Sequence, residues 1–330
     1  MQFSVYQESH IGGRKVNQDR MGYSFTRDAL LLVLADGMGG HLRGEIAAAV
    51  ALQTISALFQ QQATPYVKKP QRFLEEAFMA AHQDIHDYRK AHGMPETPRT
   101  TIVACLIQHN TATWAHCGDS RLYWMREGRI LARTRDHSHI ESLIAKGLVP
   151  AAERATHPDR NKLYNCLGAD SLPKVEVSGG GGLLPGDQML LCSDGLWSML
   201  PDDEMARRMH AHTVVRAVPD LLRAALAAVG DGSDNVTALA IMWQGSSVVD
   251  DMGATTAAGM PTVMSTEIST EALPQDLHST TIQGGPVHAP AEPSAADMDS
   301  PLDAAFDDDE IEKAIAEIRG AIEKSSQILK

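Results

Sequence analysis

Leu30-Leu31-Leu32-Val33-Leu34-Ala35-Asp36-Gly37-Met38-Gly39-Gly40 is an apolar run of about strand length that stops at an acid and a glycine cluster. A run that is apolar at every position fits a strand buried on both faces, so it predicts a sheet covered on either side. The glycines let the chain turn and let another group come close to the main chain. A carboxylate at the end of such a strand is well placed to hold a cation, although a lone Asp-Gly after a strand is an ordinary turn.

The same pattern returns downstream. Met189-Leu190-Leu191-Cys192-Ser193-Asp194-Gly195 is again an apolar strand ending in Asp-Gly. Gly232-Ser233-Asp234-Asn235-Val236-Thr237 places an acid just before the strand-like Ala238-Leu239-Ala240-Ile241-Met242-Trp243. Cys117-Gly118-Asp119-Ser120-Arg121 lies between two strand-like runs. Four acids at four strand ends predict one shared centre rich in carboxylate oxygen.

Outward from these strands, residues 2–8 read as a first strand, followed by a polar loop, 9–20, that carries Arg14, Asn17 and Asp19. A helix opens near Gly44-Glu45, Ala-rich over 47–58. A second spans 71–91, where Leu74, Phe78, Ala81, Ile85 and Tyr88 recur at spacings of three and four and form a core stripe. His82 and His86 lie one turn apart on it, but no third zinc ligand is suggested. Runs at 100–108, Thr111–Cys117, Arg121–Arg126 and 129–132 are too closely spaced for helical crossovers and predict antiparallel hairpins. A short helix at 140–146, a loop-like stretch at 147–167, and helices at 201–211 and Val214–Val229 complete the body. Strands mixed with helix pairs give an α+β layered fold.

The chain of 330 residues is 43% hydrophobic, enough for a sizeable core, with a net charge of −13. The charge is uneven. From Gly245 to Lys330 there are 16 Asp/Glu against 4 Lys/Arg, so the remainder is near neutral. Neither part has the basic face of a nucleic-acid binder. Residues 245–306, acidic and rich in Ser, Thr and Pro, read as a disordered linker. Residues 307–330 read as an amphipathic helix, with Ile311, Ile315, Ile318, Ile322 and Leu329 at heptad-like spacing. Cys105, Cys117, Cys166 and Cys192 show no Cys-x-x-Cys spacing and read as buried thiols. With no leader-like segment and no apolar run near about 18 residues, a cytoplasmic protein is expected.

Carboxylates and carbonyls suit hard divalent cations such as Mn²⁺ and Mg²⁺. Two such ions can share a carboxylate and activate a water for in-line attack on phosphorus. Arg14 offers the planar donor fork that a phosphate monoester needs. Neither a cysteine-based phosphate loop nor a Gly-x-x-x-x-Gly-Lys-Ser/Thr loop is present.

Arg14…Asn17-Gln18-Asp19, Asp36-Gly37-Met38-Gly39-Gly40-His41, Gly118-Asp119-Ser120-Arg121, Asp136-His137-Ser138, Ser193-Asp194-Gly195-Leu196-Trp197 and Asp234-Asn235-Val236-Thr237 follow one another in a telling order. That order resembles the metal-dependent protein serine/threonine phosphatases of type 2C, in their bacterial branch, over residues 1–244. The resemblance implies a four-layer α-β-β-α sandwich, two antiparallel sheets flanked by helix pairs, with two or three Mn²⁺ or Mg²⁺ ions at one end. It implies that Asp36 bridges two metals, that the Gly37 carbonyl binds one, and that Asp194 and Asp234 complete the pair. Asp119, with Asp194, would hold a third metal, Asp19 would support the metal shell, and Arg14 would clamp the substrate phosphate. Residues 138–167 resemble the family's flap. The implied activity is hydrolysis of phosphoserine and phosphothreonine on phosphorylated proteins, reversing a cognate serine/threonine kinase. Two positions depart from relatives: Met38 stands where many have a proton-donating His, with His41 close by, and Gln18 where many have Glu. The rival reading is a catalytically silent scaffold that recruits partners through the 307–330 helix, where a kinase, a substrate complex or a second copy could dock.

Overall fold

The computed structural model describes residues 1–38, 43–154, 156–245 and 264–269, the last stretch as backbone only. Three strands open the chain, β1 (Gln2–His10), β2 (Asp19–Phe25) and β3 (Ala29–Asp36), followed by helices α1 (Gly44–Gln62) and α2 (Pro70–Ala91). A run of hairpins comes next: β4 (Ile102–Gln108), β5 (Thr111–Cys117), β6 (Arg121–Arg126) and β7 (Arg129–Arg133). Beyond them lie α3 (His139–Ala145), the short strands β8 (Glu176–Val177) and β9 (Gly181–Gly182), and β10 (Gln188–Cys192). Then come α4 (Asp194–Trp197), α5 (Asp202–Ala211), α6 (Val214–Val229), β11 (Val236–Gly245) and β12 (Met264–Ser269).

The described strands form two sheets, and every pairing is antiparallel. One runs β1-β11-β10-β6-β7 and the other β12-β2-β3-β4-β5-β8, with β9 also on β5. Between them, Leu30, Leu32 and Leu34 of β3 and Val103, Cys105 and Ile107 of β4 meet Met189 and Leu191 of β10 and Leu239, Ile241 and Trp243 of β11. The alternate residues Leu31 and Val33 are equally buried, on the face where α1 packs. Burying each such leucine is worth about 1.5–3 kcal/mol, so the core on both faces holds β3 in place. On the other sheet, Tyr123, Leu190 and Cys192 pack against Met205, Met209, Val218 and Leu221 of α5 and α6. The result is the four-layer α-β-β-α arrangement that the resemblance implied.

Leu74, Phe78, Ala81, Ile85 and Tyr88 of α2 are buried, and so are all four cysteines, each a free thiol. The sequence reading missed β2, although Met21, Tyr23 and Phe25 alternate there. It also needs correction within 245–306. Met264–Ser269 pairs antiparallel with β2, so these six residues are an edge strand and not linker. The reason is that β2 offers an open ladder edge and Val263-Met264-Ser265-Thr266-Glu267-Ile268 is β-prone. The 307–330 helix lies outside the described residues. Among those described, no helix is long and apolar enough to cross a membrane.

Candidate active site

The strand-end acids gather because the two sheets end together. Asp19 and Asp36 are direct partners in the β2–β3 ladder. In the other sheet β10 and β11 are neighbours; Asp194 opens α4 directly after β10, and Asp234 lies two residues before β11. Asp119 sits in the turn from β5 to β6, where the chain passes from one sheet to the other.

Their charges act on one another. Burial, then Asp19, Asp194, Asp119 and Asp234, push the Asp36 carboxyl well above the usual carboxylate range. Burial, then Asp234 and Asp19, push Asp194 up to about 7. Asp119 is also raised well above the usual range, by burial and then by Asp194 and Asp136, with Arg121 opposing. Asp19 is raised by burial, with the hydroxyls of Thr237 and Ser193 opposing. Those hydroxyls are engaged elsewhere: Thr237 Oγ1 lies 2.6 Å from Ser9 Oγ, and Ser193 Oγ accepts from Thr237 N–H at 3.1 Å. Both Asp19 oxygens are buried without a hydrogen-bond partner. Several carboxylates raised by burial and then by mutual repulsion, one of them with two orphaned oxygens, make a donor set that a hard divalent cation fits.

Arg14 supplies positive charge at the rim. Its Nη2 donates to Asp234 Oδ2 at 2.6 Å, while 54% of its side chain stays exposed. Asn235 holds the loop that carries it, donating through Nδ2 to Ile11 O at 2.8 Å and Val16 O at 3.2 Å. Its Oδ1 accepts from Gln18 N–H at 2.9 Å. Gly12, at φ +64°, packs so closely on the Asp234 carbonyl that a side chain would collide with it.

Gly37 lies in the Asp36 strand extension, and any Cβ there would strike Gly44 at the start of α1. Its bridge to Thr100 is made through the flanking bonds, Thr101 N–H to Asp36 O at 2.8 Å and Met38 N–H to Arg99 O at 3.0 Å. The Gly37 carbonyl is thereby left outside the ladder. A cleft of about 510 Å³ opens beside these groups, lined by Arg14, Asp119, Asp194 and Asp234 and, from the 138–167 segment, Arg154 and Arg160.

A sequence profile of the protein phosphatase 2C family matches residues 6–229. The chain belongs to that family. Among its relatives is the serine/threonine phosphatase stp of Listeria monocytogenes serotype 4b (strain F2365). It is 28% identical over 233 residues, which are 69% of this chain and 90% of the relative. The solved serine/threonine phosphatase of S. agalactiae superposes with a TM-score of 0.66 at 26% identity, covering 74% of this chain and 100% of the other. The catalytic domain of the phosphatase PstP, solved with 2 manganese ions, gives a TM-score of 0.63 at 27% identity, over 74% and 99% of the two chains. The chain is therefore a metal-dependent phosphoprotein phosphatase.

The structure brings Asp19, Asp36, Gly37, Asp119, Asp194, Asp234 and Arg14 to one end of the sheets. His41 lies outside the described residues. The sequence reading named Asn17 in the Arg14 loop and met Ser193, Asn235 and Thr237 only inside motifs. What it missed is that, with Ser9, they form a polar floor beneath the carboxylates. A signal was available: Ser193 and Thr237 are fully buried hydroxyls in otherwise apolar strand ends.

His116, His137 and Glu176 also come together, with ligand atoms within 4.8 Å. Their hydrogen bonds oppose a metal. His137 Nδ1 accepts from Gly118 N–H at 3.2 Å and from Asn165 Nδ2 at 2.6 Å, which leaves the proton on Nε2, facing Glu176 at 3.4 Å. Burial and the adjacent His116 lower the His137 pKa to about 4, so the ring stays neutral. The His82–His86 pair is likewise structural, taking Gly168 N–H on His82 Nδ1 at 3.2 Å and meeting Ala169 O at 3.0 Å through His86 Nε2.

Proposed function

We propose that Asp36, the Gly37 carbonyl, Asp194 and Asp234 hold a pair of divalent ions, with Asp19 supporting them and Asp119, with Asp194, holding a third. Arg14 clamps the phosphate of phosphoserine or phosphothreonine on a protein substrate. The observation that carries this reading is the convergence of five carboxylates from both sheets, beside an arginine at the mouth of a cleft. When bound, the ions lower the pKa of a water for in-line attack and neutralise phosphate charge. The chain's own part is positioning. The ladder holds Asp19 and Asp36 rigidly, Asn235 shapes the Arg14 loop, and Arg14, engaged with Asp234 through one nitrogen, presents its remaining donors to the cleft. The Met38 thioether carries no proton, so the departing alkoxide is not protonated from that position. Segment 138–167 is read as the flap over the cleft.

A serine/threonine kinase in the same cell would supply the substrates, and helix 307–330 would dock a partner. Four buried free thiols support a reducing compartment, the cytoplasm. The test is Mn²⁺-dependent phosphate release from a phosphothreonine peptide, abolished by chelation and by Asp36→Asn in a folded protein. A purified wild type inert on both phosphopeptide and aryl phosphate would transfer the reading to a silent scaffold.

A further inference from the structure

Asp119 sits in a three-residue turn, too short to fix a side chain by itself, and each residue of that turn is held from outside. Gly118 donates its N–H to His137 Nδ1 at 3.2 Å, and its carbonyl accepts from His137 N–H at 2.9 Å. At φ +115° it lies flat on Thr101, whose Cβ would be 2.6 Å from any side chain placed there. The Asp119 carbonyl accepts from Trp197 Nε1 at 2.9 Å, and Ser120 Oγ lies 2.6 Å from Thr101 Oγ1. Trp197 is in turn covered by the Arg121 guanidinium, 3.5 Å from the ring centre. Arg121 is itself fixed by a buried two-pronged pair with Asp136 at 2.8 and 2.7 Å.

His137 faces the flap segment on its other side. That segment leaves at Ser138 and returns at Leu163, where the two bridge, and Tyr164 N–H donates to the His137 carbonyl at 3.0 Å. Asn165 Nδ2 donates to the same Nδ1 that Gly118 uses. The Asn165 amide is locked by Lys174, whose N–H meets Oδ1 at 3.0 Å and whose carbonyl meets Nδ2 at 2.7 Å. One ring nitrogen is thus shared between the Asp119 turn and the root of the flap. The ring is buried and stacked on His116 at 4.5 Å, so it cannot move toward one partner without leaving the other.

We propose that His137 is a positioning residue coupling the root of the 138–167 segment to the Asp119 turn, so that the seating of this segment sets how tightly the Asp119–Asp194 position holds its ion. This rests on Asp119 being a metal ligand, as read above. Groups that orient a ligand are worth about 10–100-fold in metal affinity. The three residues of Asp136-His137-Ser138 then have separate tasks. Asp136 holds Arg121 over Trp197, His137 holds Gly118, and Ser138 caps α3 by accepting from Glu141 N–H at 3.3 Å.

The experiment is Mn²⁺ calorimetry on the full chain, with hydrogen exchange on the same samples. Asp119→Asn removes the weakest Mn²⁺ event. His137→Ala weakens that event about tenfold or more, retains the tighter events, lowers kcat with KM for an aryl phosphate unchanged, and speeds exchange at the Gly118 and Tyr164 amides together. His137→Asn, whose Oδ1 can accept where Nδ1 did, restores most of the loss. Asn165→Ala, on the flap side, shifts the weak event in the same direction by less, and it decides the matter if His137→Ala fails to fold. Wild-type affinity for the weak ion in His137→Ala, or in Asn165→Ala together with unchanged Gly118 exchange, overturns the coupling. If Asp119→Asn itself keeps every event, the assignment of Asp119 falls instead, and this proposal with it.

Discussion

Asp36-Gly37 and Asp194-Gly195 close strands in different sheets with the same dipeptide, and their surroundings treat them differently. After Asp36 the chain stays extended, with Gly37 bridged to Thr100 and backed onto Gly44. After Asp194 it turns at once into α4, with Gly195 pressed on the Asn235 carbonyl. Asp36 faces Asp19 across a ladder, so its nearest charge is a buried carboxylate with no hydrogen-bond partner. Asp194 looks toward Asp234, which Arg14 already compensates. The β3 end therefore has the greater need for cations, while the β10 end shares a partly neutralised rim with Arg14 at the cleft mouth. Two identical words in the sequence become one rigid pole and one compensated pole.

That asymmetry can be broken in four ways. The largest effect is expected from Asp36→Asn, with kcat falling on the order of a thousandfold or more. Asp194→Asn should lose less, and an equal or greater loss in steady-state assays would remove the distinction. Arg14→Ala should lower kcat/KM about 10–100-fold, the worth of a charge-assisted hydrogen bond. Arg14→Lys should recover only part of it, because an ammonium lacks the fork; full recovery would deny the clamp.

The third test is metal-free stability. With Asp194 near 7 when folded and near the ordinary carboxylate range when unfolded, the folded chain holds the extra proton between about pH 4 and 7. Stability should therefore fall as pH rises through that window, with the loss complete above it, by at least about 2 °C in Tm. Asp36→Asn should flatten the slope, and saturating Mn²⁺ should abolish it. A metal-free Tm that climbs over the same range would contradict the charge crowding. The smallest effect is expected from deleting 246–330: aryl phosphate turnover should hold within about twofold, since the body carries its own core. Loss of β12 from the β2 edge should lower Tm by less than about 4 °C.

What could be read in advance followed from pattern strength. Strand β3 was legible because eight consecutive buried or near-buried positions leave no periodicity to misread, and its acid ends an otherwise apolar run. The α2 stripe was legible for the opposite reason, its strict three-and-four spacing. Strand β2 escaped because its alternation spans only Met21, Tyr23 and Phe25, and Arg20 beside them is buried through bonds to Asn17 and Asp19 carbonyls that no local pattern announces. Strand β12 escaped because its partner lies more than two hundred residues away. Among site residues, the acids were legible at strand ends. Asn235 was only part of a motif, since its role depends on carbonyls at Ile11 and Val16 that chain folding alone brings near.

The pairing of β1 with β11 has a mechanical consequence. Gln2 lies opposite Gly245 and His10 opposite Val236, with β1 at the border of its sheet. A load applied between positions 2 and 245 would therefore part the two strands like a zip, one rung at a time, without shearing all rungs at once. Tension reaching Gly245 from the tail would be met first by the weakest direction of that ladder, far from the carboxylates at its other end.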